Sequence, residues 1–246
     1  MVVGVAAVLA LAAGVAGLTR ASAPPAGERF VTTINPYTFG QAPDWLDSRH
    51  VVFARNDPGG DPQIYRARLD GSDRHCLSCG LSGPNQVPVV QPDGDWILFH
   101  SWHDHAVRIG SPGFGGLGSD VWVMRRDGSR RTNLTPSPEF ADKFHAYWSP
   151  DGRHIAWTAL SWNRAEGGNG RSDIEVGRFV TRGPEGPRLV DVHRVRPRNG
   201  HWYETQWWAP DGSGFLYTES VGTSLDNELF FCRLPDPDRV PAGLSA

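Results

Sequence analysis

The chain has 246 residues, with 24 Lys+Arg against 27 Asp+Glu and a formal net charge of −3, which argues against a nucleic-acid or other polyanion binder, since those carry a basic excess. An apolar share of 39% before glycine is counted rules out disorder as the main state, and three cysteines are too few for a disulfide-stapled mini-domain. Gly plus Pro make up 49 of 246 residues, beside 10 Trp and only 2 Met, so the expectation is many short strands joined by turns. Taken in chain order, residues 2–18 contain only Val, Ala, Leu and Gly, and Ala21-Ser22-Ala23 then supplies the small-x-small pattern of a signal-peptidase site. Residues 1–23 therefore read as a signal peptide for periplasmic export or secretion. The alternative is an uncleaved anchor in contact with the membrane, because no Lys or Arg precedes the apolar run and Pro24 follows the proposed cut. Residues 24–39 read as a linker containing a candidate closing strand, residues 29–33.

The body of the chain, residues 40–234, repeats. Ala42-Pro43-Asp44-Trp45-Leu46-Asp47-Ser48-Arg49-His50-Val51-Val52-Phe53 is followed by Val89-Val90-Gln91-Pro92-Asp93-Gly94-Asp95-Trp96-Ile97-Leu98-Phe99. The unit recurs in Tyr147-Trp148-Ser149-Pro150-Asp151-Gly152-Arg153-His154-Ile155-Ala156-Trp157 and in Trp207-Trp208-Ala209-Pro210-Asp211-Gly212-Ser213-Gly214-Phe215-Leu216-Tyr217. Pro presets φ, Asp bonds its own turn and Gly tolerates positive φ, while flanking aromatic and β-branched residues suit a half-buried pleat, so each unit predicts a hairpin. An alternating strand follows each one: Gln63 to Leu69 and Asp120 to Arg126, each running into an Asp-Gly turn, then Asp173 to Phe179 and Glu228 to Leu234. Four strands per unit, with the aligned Asp47, Asp93, Asp151 and Asp211 spaced by 46, 58 and 60 residues, is the spacing of propeller blades carrying insertions.

Trp148 to Trp157, together with Asp120 to Gly128 and Asn133-Leu134-Thr135 before it, resembles the β-propeller repeat of the TolB-like (WD-type) family over residues 40–234. The resemblance implies an all-β propeller of four-stranded blades. Six blades are common in that family; four are detected here, which fits either a smaller propeller or a truncated one. The same repeat occurs in periplasmic Tol-system components, in propellers attached to serine peptidases and in oligogalacturonate lyases, so the fold leaves the function open.

Strand direction places the links between second and third strands, and those between blades, at one end of the molecule. The long segments 101–119, 136–144, 160–172 and 194–203 fall there, and insertions on one side of a repeat scaffold mark a binding surface. The candidate ligand-binding residues on that face are Trp102, His103, Asp104, His105, His145, Trp162, His201, Trp202, Tyr203 and Glu204. Neutral imidazoles suit Zn or Mn, so His103, His105, His145 and His201 are candidate ligands of a divalent metal; unliganded surface histidines are the alternative, with no cofactor. A histidine-rich metal site with a basic residue is also what resemblance to the oligogalacturonate lyases implies. Trp45, Trp96, Trp122, Trp148, Trp157 and Trp208 fall at repeat positions inside strands and are expected to pack between blades, whereas Trp102, Trp162, Trp202 and Tyr203 are expected on polar loops, free to stack on a sugar or anchor a protein.

Cys76 and Cys79 lack the second pair of a zinc site and the helix of a thioredoxin motif, leaving a local disulfide or two buried thiols; Cys232, in an apolar strand, is expected in the core. No Gly-x-Ser-x-Gly elbow occurs, and Gly113-Phe114-Gly115-Gly116-Leu117-Gly118 lacks the Lys-Ser/Thr of a phosphate loop. Two functions follow. The first is an exported propeller that binds a protein or cell-envelope component, with carbohydrate also open and nucleic acid not expected. The second is a metal-dependent sugar-acid lyase or binder using the histidines.

Overall fold

The computed structural model describes residues 43–56, 60–105, 118–137, 141–161, 171–195, 202–220 and 227–234, all within one compact unit, residues 31–246. The targeting segment, the linker with its candidate closing strand, the Gly113–Leu117 run and the tail 235–246 lie outside the described residues. Among the described residues no helix is long and apolar enough to cross a membrane.

The strands form four antiparallel sheets in chain order. The first contains β1 (Asp44–Trp45), β2 (His50–Asn56), β3 (Pro62–Arg68) and β4 (His75–Cys76), and the second β5 (Asn85–Val90), β6 (Trp96–Ser101), β7 (Asp120–Arg125) and β8 (Thr132–Asn133). The third contains β9 (Ala141–Trp148), β10 (His154–Ser161), β11 (Arg171–Val180) and β12 (Arg188–Val195), and the fourth β13 (Trp202–Trp208), β14 (Gly214–Ser220) and β15 (Asn227–Arg233). Each is a simple up-and-down meander. The hairpins form where the sequence places them: Gly94, Gly152 and Gly212 have φ of 79°, 69° and 73°, and each donates its N–H to the residue before the turn proline. The turn aspartates accept from the backbone two residues on, at 3.0 Å for Asp93 and Asp151 and 2.9 Å for Asp211.

The sheets stack face to face through three apolar layers. Val52, Ile64, Leu77, Phe99 and Trp122 join the first to the second, Trp96, Leu98, Trp148, Trp157 and Phe179 the second to the third, and Val176, Tyr203, Trp208 and Phe215 the third to the fourth. Phe99, Trp157 and Phe215 are fully buried, and truncating one such ring costs about 3–5 kcal/mol. The first strands β1, β5, β9 and β13 adjoin one another in succession, so the sheets converge on their first strands as blades converge on a propeller axis. Repeat symmetry extends to hydrogen bonds: the indoles of Trp148 and Trp208, at equivalent places, donate to the carbonyls of Val89 at 3.2 Å and Tyr147 at 3.1 Å in the preceding blade. This explains a tryptophan two residues before the turn proline.

Trp45 departs from expectation. It is 61% exposed, because its neighbour Asp44 points at the second blade, accepting from the Val90 N–H at 2.8 Å, and successive side chains of a strand face opposite ways. The other five repeat tryptophans are buried as expected. Cys232 is half-buried rather than fully enclosed; burial still pushes its thiol up to about 11. Cys76 and Cys79 form a disulfide.

Candidate functional site

Strand register sets Asn56 against Pro62, Asn85 and Asp120 against Ser101, Ala141 and Arg171 against Ser161, and Trp202 and Asn227 against Ser220. The links leaving these rows therefore share one end of the sheets, opposite the Pro-Asp-Gly turns. Of the candidate residues there, Trp162 and His201 lie outside the described residues.

The remaining candidates fall into three separate places. His103 is held by blade one, its Nδ1 accepting from the Ser82 N–H at 3.0 Å, with its ring edge-on to Trp122. His105 Nε2 sits 2.9 Å from Asp120 Oδ2. That carboxylate also accepts from Asn133 at 2.8 Å and Ser137 at 2.5 Å, while Asn133 reaches Asp104 at 2.8 Å. His145 pairs with Glu204, Nδ1 to Oε2 at 3.7 Å. Among the described residues, no group of three or more His, Cys, Asp or Glu is arranged to hold a metal ion.

Two expected loop aromatics are core instead. Trp102 is 4% exposed and Tyr203 1%. Tyr203 is in β13 rather than a loop, and alternation turns it toward blade three while its neighbours Trp202 and Glu204 stay partly accessible.

The His145–Glu204 pair lies where β9 meets β13. His145 has φ of 48° in a bulge that sets His145 and Ala146 opposite Trp157. The equivalent bulge in β5 sets Val87 and Pro88 opposite Phe99, with Val87 at φ 51°. Sharing this geometry with a valine makes the bulge a property of the blade, which re-aims whatever side chain occupies it; in blade three that side chain is an imidazole. Burial pulls the His145 pKa down against the opposing pull of Glu204, so the ring is held toward its neutral form. Behind it, His100 is pushed down to about 3 by burial and by His145, and its Nε2 faces the Ala146 N–H at 3.5 Å.

Aromatic rings surround the pair. Phe144 packs edge-on to His145, with centroids 4.9 Å apart, and lies 6.4 Å from Trp202, whose indole N–H donates to Glu204 Oε1 at 2.9 Å. Tyr147, whose hydroxyl pKa is raised by burial and by the Glu204 charge, has its ring centroid 4.6 Å from that of Trp207. Trp207 is 62% exposed. The structure thus brings together His145, Trp202 and Glu204 from the candidate set and adds Phe144, while Tyr147 and Trp207 continue the aromatic row toward the Pro-Asp-Gly end of the strands. In the sequence Tyr147 and Trp207 read only as repeat residues; the signal for them was the adjacent Trp207-Trp208 pair, of which strand alternation can bury only one.

A second polar group joins blades two and three at the same end. Asp142 accepts from the Ser119 hydroxyl and from its N–H at 2.9 Å. Burial, with the neighbouring Asp120 charge, pushes the Asp142 carboxyl up to about 7 against those hydrogen bonds. Glu175 accepts from Trp157 at 2.9 Å, Lys143 at 3.2 Å and Arg194 at 3.2 Å. These groups are saturated by their neighbours and act as ties between elements.

Four successive antiparallel sheets converging on their first strands define a β-propeller, and solved TolB structures share this fold. The chain is similar to a putative TolB from Agrobacterium tumefaciens at 17% identity and a TM-score of 0.53, covering 76% of this chain and 58% of that one. It is similar to TolB from Acinetobacter baumannii at 20% identity and a TM-score of 0.54, covering 77% and 40%. A prolyl endopeptidase matches at 15% identity and a TM-score of 0.53, covering 82% and 29%. The chain thus spans little more than half of one TolB structure and two fifths of the other. No protein-family model matches the chain, and no curated protein matches it.

Proposed function

We propose that this chain is an exported binding scaffold that takes a protein or cell-envelope ligand at its loop end, seated where β9 and β13 meet. The observation that carries the reading is the group at the loop end of β9 and β13: the partly exposed Trp202 donates its indole N–H to Glu204 at 2.9 Å, Glu204 faces His145 at 3.7 Å, and Phe144 packs against both the His145 and the Trp202 rings. Exposed large aromatics with a few convergent polar groups are the usual anchors of a binding surface. Export rests on residues 1–23, and TolB-like folds are compatible with it. The test is complex formation in the source organism by affinity-tagged chain. Trp202→Ala and Phe144→Ala should lose the wild-type complex while melting normally, and Asp211→Ala, in a turn at the opposite end, should keep it. Retention by both loop-end variants would overturn the reading.

The second reading, metal-assisted chemistry on a sugar acid, is favoured by the His145–Glu204 contact alone. It requires a third ligand, for which the sequence offers His201. A stoichiometric divalent ion on the purified chain, lost in His145→Ala and His201→Ala, would establish it.

A further inference from the structure

The Cys76–Cys79 disulfide sits on the outer strand of blade one, where Cys76 pairs with Tyr65 of β3. Blade one fixes the turn between the two cysteines through other groups. The Leu77 N–H donates to the Ile64 carbonyl at 2.8 Å, the Ile64 N–H to Ser78 Oγ at 2.8 Å and the Ser78 hydroxyl to Gln63 Oε1 at 2.7 Å. Leu77 and Ser78 are fully buried, Leu77 in the apolar layer between blades one and two. A bond between residues three apart constrains the unfolded chain less than one closing a long loop, so stapling the fold is a small part of what this disulfide offers. With Leu77 and Ser78 seated, the two sulfurs stay neighbours when the bond between them opens.

The two sulfurs also differ in the way that thiol–disulfide exchange requires. Cys79 is exposed and Cys76 half-buried, so an incoming thiolate meets Cys79 first. Cys76 Sγ accepts from the Cys79 N–H at 3.1 Å. That donor stabilises negative charge on Cys76, and a stabilised thiolate leaves faster. The Arg131 guanidinium adds positive charge to the same turn, donating to the Leu77 carbonyl at 2.6 Å and the Cys79 carbonyl at 3.0 Å, and a neighbouring cation favours the thiolate form. The Tyr65 hydroxyl, 4.0 Å from Cys79 Sγ, is a donor for that sulfur once it is reduced.

We propose that Cys76–Cys79 is a thiol–disulfide exchange site for a low-molecular-weight thiol, independent of whatever binds between β9 and β13. The thiolate of the small molecule attacks Cys79 Sγ, a new S–S bond forms there, the Sγ–Sγ bond breaks and its electron pair remains on Cys76 as thiolate. A second small thiolate then attacks the small-molecule sulfur of the mixed disulfide, releasing Cys79 as thiolate and the small molecule as its own disulfide; alternatively Cys76 re-attacks Cys79 and expels the first thiol. The test incubates the full chain, native or unfolded in urea, with millimolar reduced glutathione at neutral pH, followed by acid quenching, alkylation and mass spectrometry. The native chain is expected to be reduced at least as fast as the unfolded one, to keep its cooperative melting when reduced, and to regain the disulfide on addition of oxidised glutathione. Slower reduction of the native chain than of the unfolded one means that the fold protects the bond, and overturns the proposal; that comparison needs no variant to fold. Glutathione trapped on Cys79 with Cys76 alkylated supports the proposal, whereas glutathione on Cys76 overturns it. In Cys79→Ser, which keeps the backbone N–H, alkylation of Cys76 should titrate below the ordinary thiol value of about 8.5, and a midpoint at or above that value overturns the assignment of Cys76 as the leaving sulfur.

Discussion

The Arg131 guanidinium donates to the Leu77 carbonyl at 2.6 Å, reaching from the outer part of blade two into the loop closed by the Cys76–Cys79 disulfide in blade one. A second nitrogen donates to the Cys79 carbonyl at 3.0 Å and the Nε to the Gly128 carbonyl at 2.9 Å. The disulfide loop is therefore the surface on which the next blade's outer turn rests. Hydrogen bonds from a charged donor contribute about 1.5–3 kcal/mol, so Arg131→Ala should lower unfolding stability by about that much. Closing so short a loop is worth roughly 2 kcal/mol in the chain-entropy account. Because both act on the same backbone, a double-mutant cycle of Arg131→Ala with Cys76→Ser/Cys79→Ser, followed by urea unfolding, should show less than additive loss. Strict additivity would mean that the loop and the arginine act independently.

Gly128 tests the same junction from the other side. It has φ of +82°, and a Cβ there would lie 2.8 Å from the Leu77 carbonyl oxygen, backbone that cannot move without blade one. Gly212 has a similar φ of +73° with nothing within 4 Å of its Cβ position. Gly212→Ala should cost only the left-handed conformation, roughly 1–2 kcal/mol, and Gly128→Ala should cost more by at least about 1 kcal/mol from the clash. Equal melting temperatures for the two variants would contradict this packing.

The sequence displays the parts of the fold that repeat locally, and hides those made across blades. Pro92-Asp93-Gly94 and its equivalents were legible because the turn is specified within four residues, and the shared loop end followed from counting antiparallel strands. His145 was legible as a site residue but its left-handed bulge was not, since Val87 adopts the same conformation with unrelated chemistry. Tyr203 and Trp102 were misplaced because polar neighbours such as Glu204 and Asp104 made their segments look like loops, whereas burial is decided by which side of the pleat faces the next blade. Asp142 and Glu175 escaped notice for a similar reason. Their partners Ser119 and Lys143 lie 23 and 32 residues away, the first brought close by the contact between blades two and three and the second by strand pairing within blade three.

The Asp142 carboxyl predicts a pH dependence with a definite sign. Its folded pKa, near 7, is raised above the ordinary value of 3.8, so the native state binds more protons than the unfolded chain in between. Stability from this group is complete below about pH 4 and is lost as pH rises through 7. His100, depressed to about 3 from 6.5, acts in the opposite sense, its contribution being present above 6.5 and lost as pH falls toward 3. Wild type alone mixes the two, so the informative quantity is its difference from Asp142→Asn, which keeps an acceptor for Ser119 without a charge. Urea unfolding at pH 4.5, 6 and 8 should show the variant gaining on wild type by a few kcal/mol with rising pH. A difference independent of pH would mean that Asp142 is ionised throughout.

The most direct test of the scaffold assignment is site-specific photo-crosslinking of the full chain in its source organism. A photoreactive phenylalanine analogue is placed at Trp202, at the loop end of β13, and in a second chain at Asp211, in the turn at the opposite end of that strand. The account predicts one discrete adduct from position 202, diminished by Glu204→Gln, and none of the same mass from position 211. The same adduct at equal yield from both positions, or none from either, would contradict a ligand seated between β9 and β13.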